Sequence, residues 1–64
     1  MKVKDLKLQH LVGTKIKGLA TGQTGEIVAL YVDRDCEIDI IWENNKVSRC
    51  YAHHCENEIV ERKK

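Results

Sequence analysis

Three cysteines and a pair of adjacent histidines are the residues of this chain whose types and spacing could hold a metal. Zinc prefers four sulfur or nitrogen ligands in a tetrahedron, and a Cys-x-x-His spacing beside a further cysteine could supply three of them from one turn. The candidate ligands are Cys36, Cys50, His53 and Cys55. Structural zinc sites usually join two separated ligand pairs, and only Cys36 is remote here. We therefore expect Cys36 and Cys50 to be small hydrophobic residues on the core faces of paired strands, with no metal and no cofactor.

A cysteine nucleophile is the second chemistry that this stretch allows. His53 or His54 could act as the base for Cys50 or Cys55. The sequence shows no third orienting group and no oxyanion hole, and a chain of 64 residues has little depth from which to exclude water. We therefore expect a protein that is not an enzyme, with its histidines exposed on a turn.

Tyrosine and arginine residues suggest a binding surface. Tyr31 is followed closely by Arg34, and Arg49 is followed closely by Tyr51. Tyrosine, tryptophan and arginine dominate the energetics of protein interfaces because they supply a large contact area at low entropic cost. The predicted binding residues are Tyr31, Arg34, Lys46, Arg49 and Tyr51. We expect Trp42, by contrast, to lie in the core.

The charges nearly cancel, at 11 Lys+Arg against 10 Asp+Glu and a formal net charge of +1. This balance argues against a protein that binds duplex nucleic acid mainly through its phosphates. A basic strip would form from Lys15, Lys17, Lys46 and Arg49 if the first and fourth strands shared one side. The alternative is a solvated face on which Glu26, Glu37, Asp39 and Glu43 balance these cations.

The chain that positions these side chains divides into three segments. Residues 1–12 are predicted to form a short helix or turn, because Val3, Leu6 and Leu11 lie on one helical face. The alternation of lysine with apolar residues leaves an extended arm as the alternative. Residues 13–61 form a barrel, and residues 62–64 form a frayed basic tail.

Period-two alternation predicts the strands of the barrel. A strand around Ile16 is followed by a long central strand, Glu26 to Val32, in which we expect Ile27, Ala29 and Tyr31 to share one face. Further strands are predicted from Cys36 to Trp42, from Val47 to Tyr51 and from Glu58 to Glu61. The turn residues Asn44 and Asn45 accept left-handed conformations, and a single helical turn precedes the last strand.

The quoted stretches GTKI, TGQTGEIVAL, DIIW and SRCYAHHCENEIV resemble the Src-homology-3-like (SH3-like) small barrels over roughly residues 12–60. Within that group the chain looks most like KOW-type, Tudor-like and bacterial or phage domains. The resemblance implies an all-β fold, a small five-stranded antiparallel SH3-like barrel. It also implies that Gly25, with Glu26, Ile27 and Val28, opens a strand that can approach RNA or a protein. Trp42, Tyr31 and Tyr51 are too few for the full aromatic cage of a Tudor-like domain.

The expected function is therefore non-enzymatic binding of a protein partner, by analogy in a phage or mobile-element accessory protein. Docking is expected at strand edges and at the loops 21–24, 33–35 and 43–46. RNA or single-stranded nucleic-acid binding of the KOW kind is the alternative, and a zinc-stapled domain is the second alternative. The odd cysteine count and the absence of an apolar signal core or a long apolar run predict a cytoplasmic protein with no membrane association. We expect a monomer or weak homodimer, since a core this small would gain from additional burial.

Overall fold

The computed structural model describes residues 1–61, and the predicted frayed tail, residues 62–64, lies outside the described residues. Five strands form one antiparallel sheet in the order β4-β3-β2-β1-β5. They are β1 Lys15–Lys17, β2 Thr24–Tyr31, β3 Glu37–Trp42, β4 Val47–Tyr51 and β5 Glu58–Glu61. The predicted all-β, five-stranded fold is confirmed, and the strand expected to be central, β2, is the middle strand of the sheet.

Short 3-10 turns connect the strands and form the N-terminal segment. Two of them, Val3–Asp5 and Leu8–His10, form the N-terminal segment, where a short helix or turn was predicted, and the predicted turn before the last strand is Ala52–His54. The first turn cannot extend because Leu6 has an extended backbone, with φ −88° and ψ 144°. The backbone amides of Val3 and Lys4 instead donate to the carbonyls of Asn57 and Cys55, each at 3.0 Å. The N-terminal segment is thus held against the chain that leads into β5.

The core lies on one side of the curved sheet. Its largest fully buried apolar side chains are Val3, Leu11, Ile16, Ile27, Ile38 and Ile40. Of the two cysteines predicted to be buried, Cys36 is buried and Cys50 is half-buried, and Cys55 is buried as well. Trp42 is half-buried and packs against the core. The N-terminal apolar residues therefore complete the core, although they do so without forming an α-helix.

A bulge at Val28 changes the two faces of β2. Ile27 pairs with Ile40 and Ala29 pairs with Asp39, so Val28 is an extra residue between them. Because paired residues point to the same side of a sheet, the bulge sends Ala29 and Tyr31 away from the face of Ile27. The prediction that Ile27, Ala29 and Tyr31 share one face is wrong. Strict alternation does not hold across the bulge.

Two turns use left-handed backbone conformations. Asn45, in the β3–β4 turn, has φ 67°, as its residue type predicts, while Asp35 and Cys36 have φ 56° and 60° at the entrance to β3. The predicted strand from Cys36 therefore begins one residue later, at Glu37. None of the helical segments within residues 1–61 has the length and apolar character that a membrane crossing requires.

Candidate binding surface

The surface that collects most of the predicted site residues is the side of β2, β3 and β4 that faces away from the core. The strand register fixes its rows: Tyr31 is opposite Glu37, which is opposite Tyr51, and Asp39 lies between Ala29 and Arg49. We call this surface the outer face. Its members are Glu26, Val28, Ala29, Tyr31, Glu37, Asp39, Ile41, Val47, Arg49 and Tyr51.

A polar network lies at the centre of the outer face. The Tyr31 hydroxyl donates to Asp39 Oδ2 at 2.9 Å, and Arg49 Nε donates to Asp39 Oδ1 at 2.8 Å. The same Nε lies 3.0 Å from Glu37 Oε1. The side chains of Glu37 and Asp39 are only 14% and 13% exposed, whereas that of Arg49 is 54% exposed. The acids are thus covered, and the guanidinium group remains open to solvent.

The Tyr31 ring is flanked by two guanidinium groups. The guanidinium carbon of Arg34 lies 5.4 Å from the ring centroid, and that of Arg49 lies 5.8 Å from it. Both distances fall within the range of cation–π attraction. Arg34 belongs to the 3-10 turn Val32–Arg34, which follows β2 directly, so this turn and β4 together fix the ring.

The pKa values of the network follow from these contacts. The hydrogen bond from Arg49, followed by that from Tyr31, holds the pKa of Asp39 below its usual value. The hydrogen bond to Asp39 and the charge of that carboxylate raise the pKa of Tyr31. The pKa of Arg49 is raised, chiefly by its hydrogen bond to Asp39. At neutral pH the network therefore holds a carboxylate, a neutral phenol and a guanidinium cation.

Exposed apolar side chains lie beside this network. Val28, Ile41 and Val47 are all exposed on the outer face, and Ile41 pairs directly with Val47. Val28 and Ile41 line a shallow depression of about 450 Å³ together with Lys15. Sequence reasoning missed Ile41 and Val47 as part of the candidate site, although the resemblance had placed Val28 in a strand that can approach a partner. The sequence did contain one indication of an apolar outer face. Ile41 shares the strand face of Glu37 and Asp39, not the face of the core residues.

Four of the five predicted binding residues are brought together, and one is not. Tyr31, Arg34 and Arg49 are in contact, and Tyr51 lies two residues along β4 from Arg49 on the same face. Lys46 lies in the β3–β4 turn, at the opposite end of β4 from Tyr51. It lines a separate depression near Trp42 and Ser48.

The lysines and Arg49 do not form a basic strip. Strands β1 and β4 are separated in the sheet by β2 and β3, so Lys15 and Lys17 lie far along the sheet from Arg49. Lys15 is opposite Glu26 on one side and Glu61 on the other. The arrangement is the balanced, solvated surface that the sequence offered as the alternative.

Cysteine and histidine side chains gather at the end of β4. Cys36, Tyr51, His53 and His54 line a depression of about 540 Å³ together with Val32 and Asp35. Cys50 and Cys55 interact with each other on the core side, and Asn57 Oδ1 lies 3.3 Å from Cys55 Sγ. Among residues 1–61, no group of three or more histidine, cysteine or acidic side chains is arranged to hold a metal ion.

The contact between the two thiols separates their pKa values. The hydrogen bond from Cys50 stabilises the Cys55 thiolate and lowers the pKa of Cys55 to about 7, although burial opposes this shift. The same hydrogen bond, together with burial, raises the pKa of Cys50. The pair thus holds one acidic thiol and one that keeps its proton.

The three aromatic rings lie on different sides of the sheet. Trp42 packs on the core side, where its Nε1 donates to the Ser48 hydroxyl at 2.8 Å. Tyr31 and Tyr51 lie on the outer face. The three rings therefore do not face a common cavity.

Comparison of the chain with protein-family models, with curated proteins and with solved structures finds no match in any of the three. The function is therefore inferred from the geometry of the outer face.

Proposed function

We propose that this protein is a non-enzymatic binding module of the SH3-like type that binds another protein through the outer face. The observation that carries this proposal is the position of an exposed apolar pair, Ile41 and Val47, in the row next to Asp39 and Arg49. Arg49 in turn flanks the Tyr31 ring together with Arg34. An ordered aromatic and arginine cluster loses little conformational entropy on binding, and adjoining apolar groups gain from burial.

Charge pairing favours a protein partner over nucleic acid. The ammonium groups of Lys2 and Lys4 lie 3.0 and 2.9 Å from the carboxylate of Glu56, and Lys15 is opposite Glu26 and Glu61 in the sheet. Binding to phosphates depends on cations that can replace counterions, and a cation that already neutralises a carboxylate supplies less of this effect. A mixed surface of aromatic, apolar and paired charged groups is typical of protein interfaces.

Gly25 gives no support to a KOW-like contact with RNA. The glycine is buried, and a methyl group in its place would lie 2.6 Å from Trp42 Cε3. The indole therefore occupies the space beside this part of the backbone. In this proposal Gly25 serves packing, and the partner docks on the opposite side of the sheet. We place the protein in the cytoplasm, where its three thiols would stay reduced.

Affinity capture with matched bait variants tests the proposal. Val47→Glu places a charge on the outer face at a side chain that is 63% exposed, while Leu19→Glu does the same on the β1–β2 turn at a side chain that is 71% exposed. Amide spectra first establish that both variants keep the fold. We expect quantitative mass spectrometry to find proteins retained by wild type and Leu19→Glu and lost from Val47→Glu.

Two results would contradict the proposal. The first is an identical set of captured proteins for all three baits. The second is capture that disappears after nuclease treatment, combined with salt-sensitive amide shifts on adding single-stranded RNA or DNA. The second result would establish the nucleic-acid alternative instead.

A further inference from the structure

Strand β4 forms an open edge of the sheet. It pairs with β3 on one side, and nothing among residues 1–61 pairs with its other side. The opposite edge, β5, is partly covered: Lys2 forms a bridge with Glu58, and the Ile59 amide donates to the Met1 carbonyl at 2.9 Å. The sheet therefore has one fully open edge among the described residues.

The hydrogen bonds at the two ends of β4 establish which backbone groups point outward. The Trp42 amide donates to the Lys46 carbonyl, and the Ala52 amide donates to the Cys36 carbonyl, each at 2.9 Å. In an antiparallel pair, hydrogen-bonded positions alternate with positions that are not hydrogen-bonded. Even-numbered positions of β4 therefore face β3, and the amide and carbonyl groups of Val47, Arg49 and Tyr51 point away from the sheet.

The same three residues carry their side chains on the outer face. Val47, Arg49 and Tyr51 are all exposed. A strand that added to this edge would exchange backbone hydrogen bonds with these residues, and its own alternate side chains would lie beside theirs. Backbone pairing and side-chain recognition would thus use the same three positions.

We propose that the β4 edge binds an extended segment of another protein, in which an acidic residue lies opposite Arg49 and apolar residues lie opposite Val47 and Tyr51. This inference rests on the proposed function and names the partner's chemistry. Arg49 contacts its own carboxylates through Nε, and among the described residues its terminal nitrogens make no hydrogen bond. These solvent-exposed donors can form a paired contact with an incoming carboxylate.

A second copy of this chain is a poor occupant of the edge in the register that pairs the whole of β4. Symmetric antiparallel pairing of two β4 strands about their middle residue would place Arg49 directly opposite Arg49 of the other copy. Like charges directly opposite each other destabilise a strand pair. Pairing of β4 with β5 of another copy would meet the edge that Met1 and Lys2 already cover.

Amide hydrogen exchange with a synthetic peptide tests the inference. The probe is the capped heptapeptide Thr-Val-Thr-Glu-Thr-Ile-Thr, whose valine, glutamate and isoleucine share one face. At saturation we expect exchange at Val47, Arg49 and Tyr51 to slow at least tenfold. Exchange at Ser48 and Cys50, whose amides already point toward β3, should change much less. These two amides are internal controls within the same strand.

Two altered peptides separate backbone pairing from charge recognition without changing the protein. Methylation of the glutamate backbone nitrogen removes the amide that would donate to the Arg49 carbonyl, and we expect it to abolish protection of the edge. Replacement of the glutamate by lysine should weaken binding about tenfold, because like charges then face each other.

Strand addition is overturned if the parent peptide leaves the edge amides unprotected or if the methylated peptide protects them equally well. It is also overturned if raising the protein concentration alone protects the edge, since the occupant would then be a second copy. Loss of capture by Val47→Glu combined with unprotected edge amides would overturn strand addition and leave the proposed function standing.

Discussion

The indole ring of Trp42 packs against the backbone of Gly25, its partner across the β2–β3 pair. A methyl group at Gly25 would lie 2.6 and 2.9 Å from two ring carbons, Cε3 and Cζ3, and 3.0 Å from Ile40 Cγ2. The glycine therefore provides the space in which the indole covers the end of the core. From there the ring nitrogen reaches the Ser48 hydroxyl in β4.

Gly25→Ala should therefore destabilise the fold by about 1–3 kcal/mol, the usual cost of overpacking a core position. Urea denaturation followed by Trp42 fluorescence measures the change. The matched control is Thr24→Ala at the neighbouring exposed position, for which we expect a change within about 0.5 kcal/mol. Equal stability of wild type and Gly25→Ala would show that the indole can move aside at no cost.

Thr14 is a fully buried polar residue, and its hydroxyl donates to the His10 carbonyl at 2.6 Å. Thr14→Val keeps the side-chain shape and removes this donor, so we expect a loss of about 1–3 kcal/mol in the free energy of unfolding. Thr24→Val, at an exposed position, is the control. A neutral result for Thr14→Val would mean that the carbonyl finds another donor.

The raised pKa of Tyr31 depends on Asp39 and not on Glu37. Asp39→Asn should lower the pKa of Tyr31 toward the ordinary value near 10, whereas Glu37→Gln should leave it unchanged. Phenolate absorbance measures the titration in a Tyr51→Phe background, where Tyr31 is the remaining tyrosine. A pKa of Tyr31 that is insensitive to Asp39→Asn would contradict the network.

The raised pKa of Tyr31 also predicts that the protein loses stability as the pH becomes alkaline. The pKa of Tyr31 is higher in the folded than in the unfolded state, so its contribution is fully present below the unfolded value near 10. That contribution is lost as the pH rises through the folded value. In Asp39→Asn we expect a weaker alkaline decline, because the two pKa values then lie closer together.

The two interacting thiols should titrate in separate steps. Ultraviolet thiolate absorbance should show a first step near pH 7 from Cys55. In Cys50→Ala this step should move to higher pH, because the thiolate loses the hydrogen bond from Cys50. Cys36→Ala is the control, since Cys36 is not among the groups that shift the pKa of Cys55. An unmoved step in Cys50→Ala would contradict the assignment.

Where the strands are regular, the alternation of residue types was sufficient to predict which side chains are buried. In β3 the alternation of Ile38 and Ile40 with Glu37 and Asp39 correctly separates core from surface, because side-chain direction in a strand has a period of two. The turn at Asn45 was also predictable, since asparagine tolerates a left-handed backbone better than most residues.

In the N-terminal segment, residue spacing predicts burial but not the backbone conformation. The spacing of Val3, Leu6 and Leu11 identifies residues that are buried, but it does not identify the hydrogen-bond partners of their backbone. The carbonyls of Cys55 and Asn57, far along the chain, accept from the first turn and hold it as a 3-10 turn. Contacts this distant in sequence leave no local pattern.

Residue pattern alone was enough to predict an all-β fold, a central second strand and the tyrosine and arginine residues of the candidate surface. Which of those residues meet depends on the tertiary structure. The bulge at Val28 turns Tyr31 onto the face of Asp39 and Arg49. The strand order keeps Lys15 away from that network, and Lys46 lies in the turn at the far end of β4 from Tyr51. A one-residue shift in register reverses every later side chain, and this shift depends on pairing between strands rather than on the residues of β2 alone.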